Sequence, residues 1–325
     1  MDFLQRYKEY VALVDEHLSA FITRSIPKTL YEPAKYILAA GGKRIRPALV
    51  LCACEAVGGK KEDALHAAAG LEILHNFTLV HDDIMDNAAS RRGRPTVHTK
   101  WDSNVAILAG DALLGLAYRA LLASETERVG ELSSIFTEGV IEVCEGQAYD
   151  KEFETRKRVT LDEYLLMIQK KTGTMVAVAT EVGAILGGGT SAERAALKSY
   201  GELVGEAFQV QDDLLDVIAD EIQFGKTIGG DIVEGKKTFL LITALQRAKG
   251  DDKRLLQKLV DEGGTSKSKV DRVRRIFQTT GAIEAAGVQI ANDIAKAKTQ
   301  LSVLNDSESA QMLSWFADML LNRKS

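Results

Sequence analysis

The chain has 325 residues, 46% hydrophobic and 27% charged, with a formal net charge of −5. That is the balance of a globular protein with room for one large or two ordinary domains, and its sign disfavours nucleic acid as a partner, so any anion site must be a local basic cluster. The three cysteines, Cys52, Cys54 and Cys144, are too sparse for a disulfide framework and suit a reducing, cytoplasmic location.

In chain order, the N-terminal "MDFLQRYKEY" lacks the basic-then-apolar pattern of a secretory signal. No unbroken run of 18 apolar residues follows, so no membrane span is expected. The four prolines, Pro27, Pro33, Pro47 and Pro95, all lie in the first third, and nothing after Pro95 forbids long helices. An apolar helix carries Cys52 and Cys54, and all three cysteines are expected in the core. "AAAGLEILHNFTLV", residues 67–80, has the character of a buried helix and leads into "HDDIMD", His81 to Asp86. Tyr164, Leu165 and Ile168, then Val176, Ala179, Val182, Gly183 and Leu186, recur at helical spacing. "GGGTSAER" predicts a helix stop followed by an N-cap at Thr190 or Ser191. "FQVQDDLLD", Phe208 to Asp216, repeats the apolar approach to an acidic cluster. Glycine pairs at 41–42, 58–59, 187–189, 229–230 and 263–264 mark further stops. Ala, Leu, Glu, Lys and Gln dominate and period-two alternation is absent, which predicts about a dozen helices, little or no sheet, and one all-α domain over residues 1–325.

The acidic clusters carry the chemistry. Residues four apart stack on one helix face, so Asp82 and Asp86 project side by side, as do Asp212 and Asp216. Uncompensated, such pairs repel and raise each other's pKa. A hard divalent cation resolves the repulsion, and Mg²⁺ is commonly held by one or two carboxylates plus substrate phosphates. A single Asp-Asp-x-x-Asp could be a solvated helix end. Two copies 130 residues apart, each entered from apolar helix, point to metal and suggest two half-sites facing each other.

Basic loops accompany them. "GGKRIRP" holds Lys43, Arg44 and Arg46, and "SRRGRPTVH" holds Arg91, Arg92 and Arg94 just after the first cluster. "KKTGT" holds Lys170 and Lys171, and "FGKTIGGDIVEGKKT" holds Lys226, Lys236 and Lys237 just after the second. Acid followed by base, twice, suits a magnesium-bridged polyphosphate whose remaining oxygens meet Arg and Lys. There is no phosphate-binding loop of the Gly-x-x-x-x-Gly-Lys-[Ser/Thr] kind and no dinucleotide fingerprint, which argues against an ordinary NTPase or Rossmann enzyme.

These motifs, in this order, resemble the trans-isoprenyl diphosphate synthases, the head-to-tail prenyltransferases. "GGKRIRP", "HNFTLVHDDIMD", "RRGRPTVH", "LAGDALL", "EGQ", "KTG", "FQVQDDLLD", "GKTIGGDI" and "EGKKT" carry the resemblance from about residue 41 to 238. It implies an all-α barrel of long helices around a deep central cavity (the isoprenoid synthase fold), usually as a homodimer. It implies Mg²⁺-dependent condensation of isopentenyl diphosphate with an allylic diphosphate, using about three ions per site. By position, Asp82, Asp86 and Asp212 hold the metal, with Asp83 and Asp216 as direct or outer ligands. Arg91, Lys171, Lys226 and Lys236 hold the allylic diphosphate. Lys43, Arg46, His75 and Arg92 hold isopentenyl diphosphate. Thr172 and Gln209 border the developing cation. Phe77 and Thr78, five and four residues before Asp82, floor the space for the growing tail, a pattern like that of geranylgeranyl rather than farnesyl diphosphate synthases. Three other classes compete. A His-Asp metal phosphohydrolase would enlist His66 and His75. A terpene cyclase would have an Asn- and Ser-rich second motif and no "GGKRIRP". A non-catalytic partner subunit would have lost one aspartate motif.

Overall fold

A computed structural model of the chain describes residues 2–218 and 229–321. The described residues are all-α, as composition and periodicity predict: sixteen α-helical segments and one pair of two-residue strands. The long helices come where proline is absent. α6 spans Ser103–Leu121, α7 Val129–Thr155 and α10 Ser191–Ile218. Caps start them as the sequence predicts. Thr190 Oγ1 accepts the Glu193 amide at 3.3 Å while Glu193 takes the Thr190 amide at 2.8 Å, a reciprocal capping box. Thr160 and Glu163 repeat the device at α8, Leu161–Ile168.

The chain packs as two compact units, both discontinuous in sequence. Unit 1 is residues 1–137, 178–197 and 303–313; unit 2 is residues 138–177, 198–302 and 314–325. No linker marks the boundaries, several of which fall inside helices, α7 and α10 among them.

In unit 1, α3 (Ile45–Ala56) is apolar almost all round and correspondingly buried, from Pro47 to Cys54. It packs on α4 (Leu65–Met85), and α4 packs along α6. Small residues let the backbones approach: a methyl at Gly70 of α4 would lie 2.9 Å from the Ala117 carbonyl oxygen of α6. Ala106, Ala109, Gly110, Leu113, Ala117 and Ala120 of α6 are buried. α6 is also the one described helix long and apolar enough to cross a membrane, with a mean hydropathy of 1.3 over its best window; 44% of that window is buried inside the fold. Two cysteines sit in the core as expected, where burial pushes the Cys54 thiol up to about 12. Cys144 corrects that expectation: it is on an exposed face of α7.

In unit 2, the helix Phe239–Arg247 packs against Ala282–Gln300. Glu206 of α10 is largely buried, and desolvation together with the Asp293 carboxylate lifts its pKa to about 7, against a lowering by Lys296. A carboxyl whose folded pKa is raised contributes nothing at low pH and destabilises as pH climbs through the interval between its unfolded and folded values. Glu206→Gln removes that penalty. After discounting for partial exposure, the variant is expected to gain about 1–2 kcal/mol at pH 8 and almost nothing at pH 4, read as melting temperatures at the two values. An equal gain at both pH values would place the effect in packing rather than charge.

Candidate active site

In unit 1 the first acidic cluster closes α4. The Asp86 amide donates to the Asp82 carbonyl at 2.9 Å and caps the helix, Asn87 turns left-handed at φ 49°, and the Ala88 amide donates back to the Asp83 carbonyl. This C-cap leaves Asp82 half-buried and Asp86 exposed, on one edge of the last turn. The middle aspartate differs. Asp83 is turned inward, 1% exposed, and takes Arg91 Nε at 2.7 Å. Burial lifts its carboxyl, and the Arg91 ion pair only partly offsets this.

Arg91 reaches Asp83 because the chain turns back at once. Ser90–Arg91 pairs antiparallel with Arg94–Pro95, and the two-residue connection Arg92-Gly93 has φ of 52° and 71°. Positive φ at both central positions is the type I′ hairpin turn. Arg92 at its tip donates to the Gly41 carbonyl, clipping this loop to "GGKRIRP". Gly42 has φ 147°, a conformation that favours glycine, and a methyl there would come within 3.0 Å of that guanidinium, which would have to shift slightly. Within "GGKRIRP" the three cations divide the work. Arg44 is buried, bound to Glu72 at 2.5 Å and Asp15 at 2.9 Å, and donates to the Leu38 carbonyl; it holds the loop. Arg46 approaches His75 Nε2 at 3.4 Å, and Lys43 is exposed. Burial, and then the positive charges of Arg46 and Arg92, push the His75 imidazole well down, so His75 is neutral here and accepts from Arg46. His75, Arg46 and Arg92 thus form one positive patch in unit 1. Phe77 is 9% exposed, and Thr78 donates to the His75 carbonyl at 2.8 Å.

His66 does not join this cluster. It hydrogen-bonds His17 at 3.1 Å near the start of α4. A phosphohydrolase needing His66 and His75 on one metal finds no support.

In unit 2 the second cluster lies on the last turns of α10. Asp212 and Asp216 are half-buried; Asp213 is buried. Asp213 accepts the Tyr164 hydroxyl at 2.5 Å and Gln209 Nε2 at 3.0 Å, and Gln209 Oε1 accepts the Thr172 hydroxyl at 3.0 Å. This relay fixes Thr172 and Gln209, the two groups expected beside the cation. Asp216 takes the Asp231 amide at 3.1 Å, and its own carbonyl takes the Gly229 amide at 2.8 Å, so the returning chain docks on it. Burial and the Asp231 carboxylate both raise Asp213. Asp216 is likewise raised, chiefly by burial.

Lys171 and Thr172 sit on a π-helical turn, Gln169–Gly173, between α8 and α9 (Thr174–Leu186). Such turns bulge one residue out of the ladder and aim it away from the regular helix path. Two glycines admit the bulge. A methyl at Gly146 of α7 would overlap the Lys171 backbone, and one at Gly205 of α10 would lie 2.6 Å from the Gly173 Cα.

The described cations assigned to the allylic diphosphate each rest on a carboxylate. Arg91 is on Asp83, Lys171 on Asp150 at 2.6 Å, and Lys236 on Asp231 at 3.5 Å and Glu234 at 3.2 Å. Burial alone would lower Lys236, but Asp231 and Glu234 outweigh it and its pKa rises. Lys226 lies outside the described residues. Sequence reasoning gave no site role to Asp150, Asp231, Tyr164 or the two glycines, although Asp231 lies in "GKTIGGDI", Gly146 in "EGQ", and Tyr164 in a helical apolar pattern.

Among the described residues no three carboxylate, histidine or cysteine side chains converge as a finished metal cage. The donors present are carboxylate oxygens in pairs, and in unit 2 burial, with the Asp231 and Asp212 carboxylates behind it, raises Asp213 between them. That donor set fits a hard cation that draws its remaining ligands from phosphate oxygens.

An all-α fold with two Asp-x-x-x-Asp helix ends and cations beside each suits a metal-dependent enzyme acting on diphosphates. The chain belongs to the polyprenyl synthetase family, the trans-isoprenyl diphosphate synthases, which it matches over residues 27–279. It is 42% identical to a short chain isoprenyl diphosphate synthase of Methanothermobacter thermautotrophicus, across 100% of this chain and 98% of that one. Its fold superposes on geranylgeranyl pyrophosphate synthetase from Pyrococcus horikoshii with a TM-score of 0.94 at 40% identity, covering 99% and 98% of the two chains. It also superposes on a polyprenyl synthase from Caulobacter crescentus complexed with calcium and isoprenyl diphosphate, with a TM-score of 0.91 at 27% identity, covering 99% and 97%. Like its family, the chain is a prenyltransferase.

Proposed function

We propose that this prenyltransferase condenses isopentenyl diphosphate with allylic diphosphates and releases the twenty-carbon geranylgeranyl diphosphate. The observation that carries the length is Phe77, a buried ring five residues before Asp82, beside the small Thr78. Farnesyl diphosphate is the second reading, favoured only if that ring stops the tail one unit sooner.

Asp82, Asp86 and Asp212 would hold about three magnesium ions, with Asp216 assisting and Asp83 serving through Arg91. Bound magnesium supplies positive charge that stabilises the departing diphosphate. Arg91, Lys171, Lys226 and Lys236 bind the allylic diphosphate, and the carboxylate partners of Arg91, Lys171 and Lys236 balance their charge before substrate arrives. Lys43, Arg46, His75 and Arg92 bind isopentenyl diphosphate. Ionisation leaves an allylic carbocation. The Thr172 and Gln209 oxygens border it, held by Asp213 and Tyr164, and apolar surroundings keep water from quenching it. The isopentenyl double bond attacks the cation, and the released diphosphate takes the proton lost as the new double bond forms.

The protein works as a cytoplasmic homodimer, without nucleic acid. Exposed Ile107 and Leu108 on α6, with Leu122 at its C-cap, supply apolar surface for a second copy.

Product analysis by chromatography after phosphatase treatment, with several allylic starters, tests the reaction and the length together. Arg46→Ala tests the division of the two substrates. A lost phosphate contact weakens only the substrate it touches, so KM for isopentenyl diphosphate is expected to rise about tenfold or more with the allylic KM nearly unchanged. Equal rises would reassign Arg46.

A further inference from the structure

His81 stands outside the chemistry above, yet its ring occupies a decisive place in unit 1. It lies one helical turn after Phe77 on α4, and the two rings meet edge to face with centroids 4.7 Å apart at 61°. Residues four apart share a helix face, so the contact follows from α4 itself. On its other side the imidazole fills the α4–α6 groove. Nε2 is 3.5 Å from the Ile107 carbonyl oxygen and 3.8 Å from Asp111 Oδ1. The groove is open to it only because residue 110 is glycine. A methyl there would overlap Nε2 and Cδ2 of the imidazole, although Gly110 has an ordinary helical backbone that alanine would also adopt. Gly110 is therefore not needed for conformation; it is needed for the ring.

We propose that His81 is a positioning residue for product length: seated over Gly110, its imidazole backs the Phe77 ring and fixes where the growing tail stops. This rests on the reading of Phe77 as the floor of the tail site. Phe77 is buried with His81 against one face of its ring, and on the floor reading the tail meets the other, so space that His81 vacates is space into which the ring can retreat. Truncating His81 gives it that space and lengthens the product. Adding a methyl at Gly110 drives the imidazole toward Phe77 and shortens it.

The test uses the full chain at saturating magnesium, with isopentenyl diphosphate and a fifteen-carbon allylic starter, and reads the product ratio. His81→Ala is expected to raise products beyond the parent length at least fivefold, with KM for isopentenyl diphosphate within twofold of the parent. Gly110→Ala is expected to shift the ratio at least fivefold toward the shorter product. In the double variant Gly110→Ala adds nothing to His81→Ala, because the atoms its methyl strikes are gone. A parent-like product profile from active His81→Ala overturns the proposal when Phe77→Ala does change length. So does a Gly110→Ala shift that persists undiminished without His81, since the methyl would then act through helix spacing. If Phe77→Ala also leaves the profile unchanged, the floor reading fails and the proposal falls with it. Should Gly110→Ala fail to fold, His81→Ala alone decides.

Discussion

Asp82→Asn or Asp212→Asn is expected to lower turnover at least about a hundredfold while leaving the fold intact, the scale seen when one key electrostatic group is removed from an active site. The substitution keeps shape and removes ligand charge. Asp82 caps the end of α4 through its backbone carbonyl, which asparagine retains. Its side chain is only half-buried, so the exchange should move the melting temperature by no more than a few degrees. Asp83 gives the opposite pattern. Asp83→Ala leaves Arg91 without its partner and opens a hole at a fully buried position, so stability falls along with activity. Turnover at several magnesium concentrations, beside a melting curve for each variant, separates the two classes. Near-parental activity in Asp82→Asn or Asp212→Asn at saturating magnesium would remove these residues from the metal assignment.

That contrast marks how far the sequence could be read. The acidic clusters and the helices under them were legible because periodicity, propensity and caps agree: α4 is apolar until it reaches Asp82, and Thr190-x-x-Glu193 announces α10. What spacing could not tell was which aspartate of each cluster turns inward. Asp83 and Asp213 lie one residue from the outward pair, and their partners Arg91 and Tyr164 are fixed by a hairpin and by a helix far away in sequence. The π-turn carrying Lys171 was invisible for a similar reason. "KKTGT" has no local signature of a bulge, which is set by the close approach of Gly146 and Gly205 from other helices. Arg44 looked like one more phosphate cation, and only Glu72 and Asp15 reveal it as a strut. Cys144 was misplaced because an exposed cysteine on a long helix differs from a buried one only in which face is covered.

Phe77→Ala is expected to shift the main product from twenty carbons, or from fifteen on the farnesyl reading, to distinctly longer chains. Helix geometry alone does not aim the ring at the tail. Five residues place Phe77 about 140° round α4 from Asp82, on the opposite flank from the metal ligands. The structure adds that the ring is 9% exposed and held against His81, so it is a fixed wall rather than a loose side chain. Removing it opens roughly a phenyl ring's volume. An elongating isoprenoid is apolar and flexible and extends into any apolar space adjoining its end. Each added unit buries more apolar surface, at about 0.8 kcal/mol per methylene, so an opened floor favours continued growth over release. Thr78 stays small in this variant and does not replace the lost wall, although its hydroxyl remains tied to the His75 carbonyl. The same truncation in an ordinary core would cost about 3–5 kcal/mol of stability and leave the product alone. The discriminating result is therefore a longer product from an enzyme whose loss of stability falls below that range. An unchanged product distribution from folded, active Phe77→Ala would show that something other than this ring sets the length.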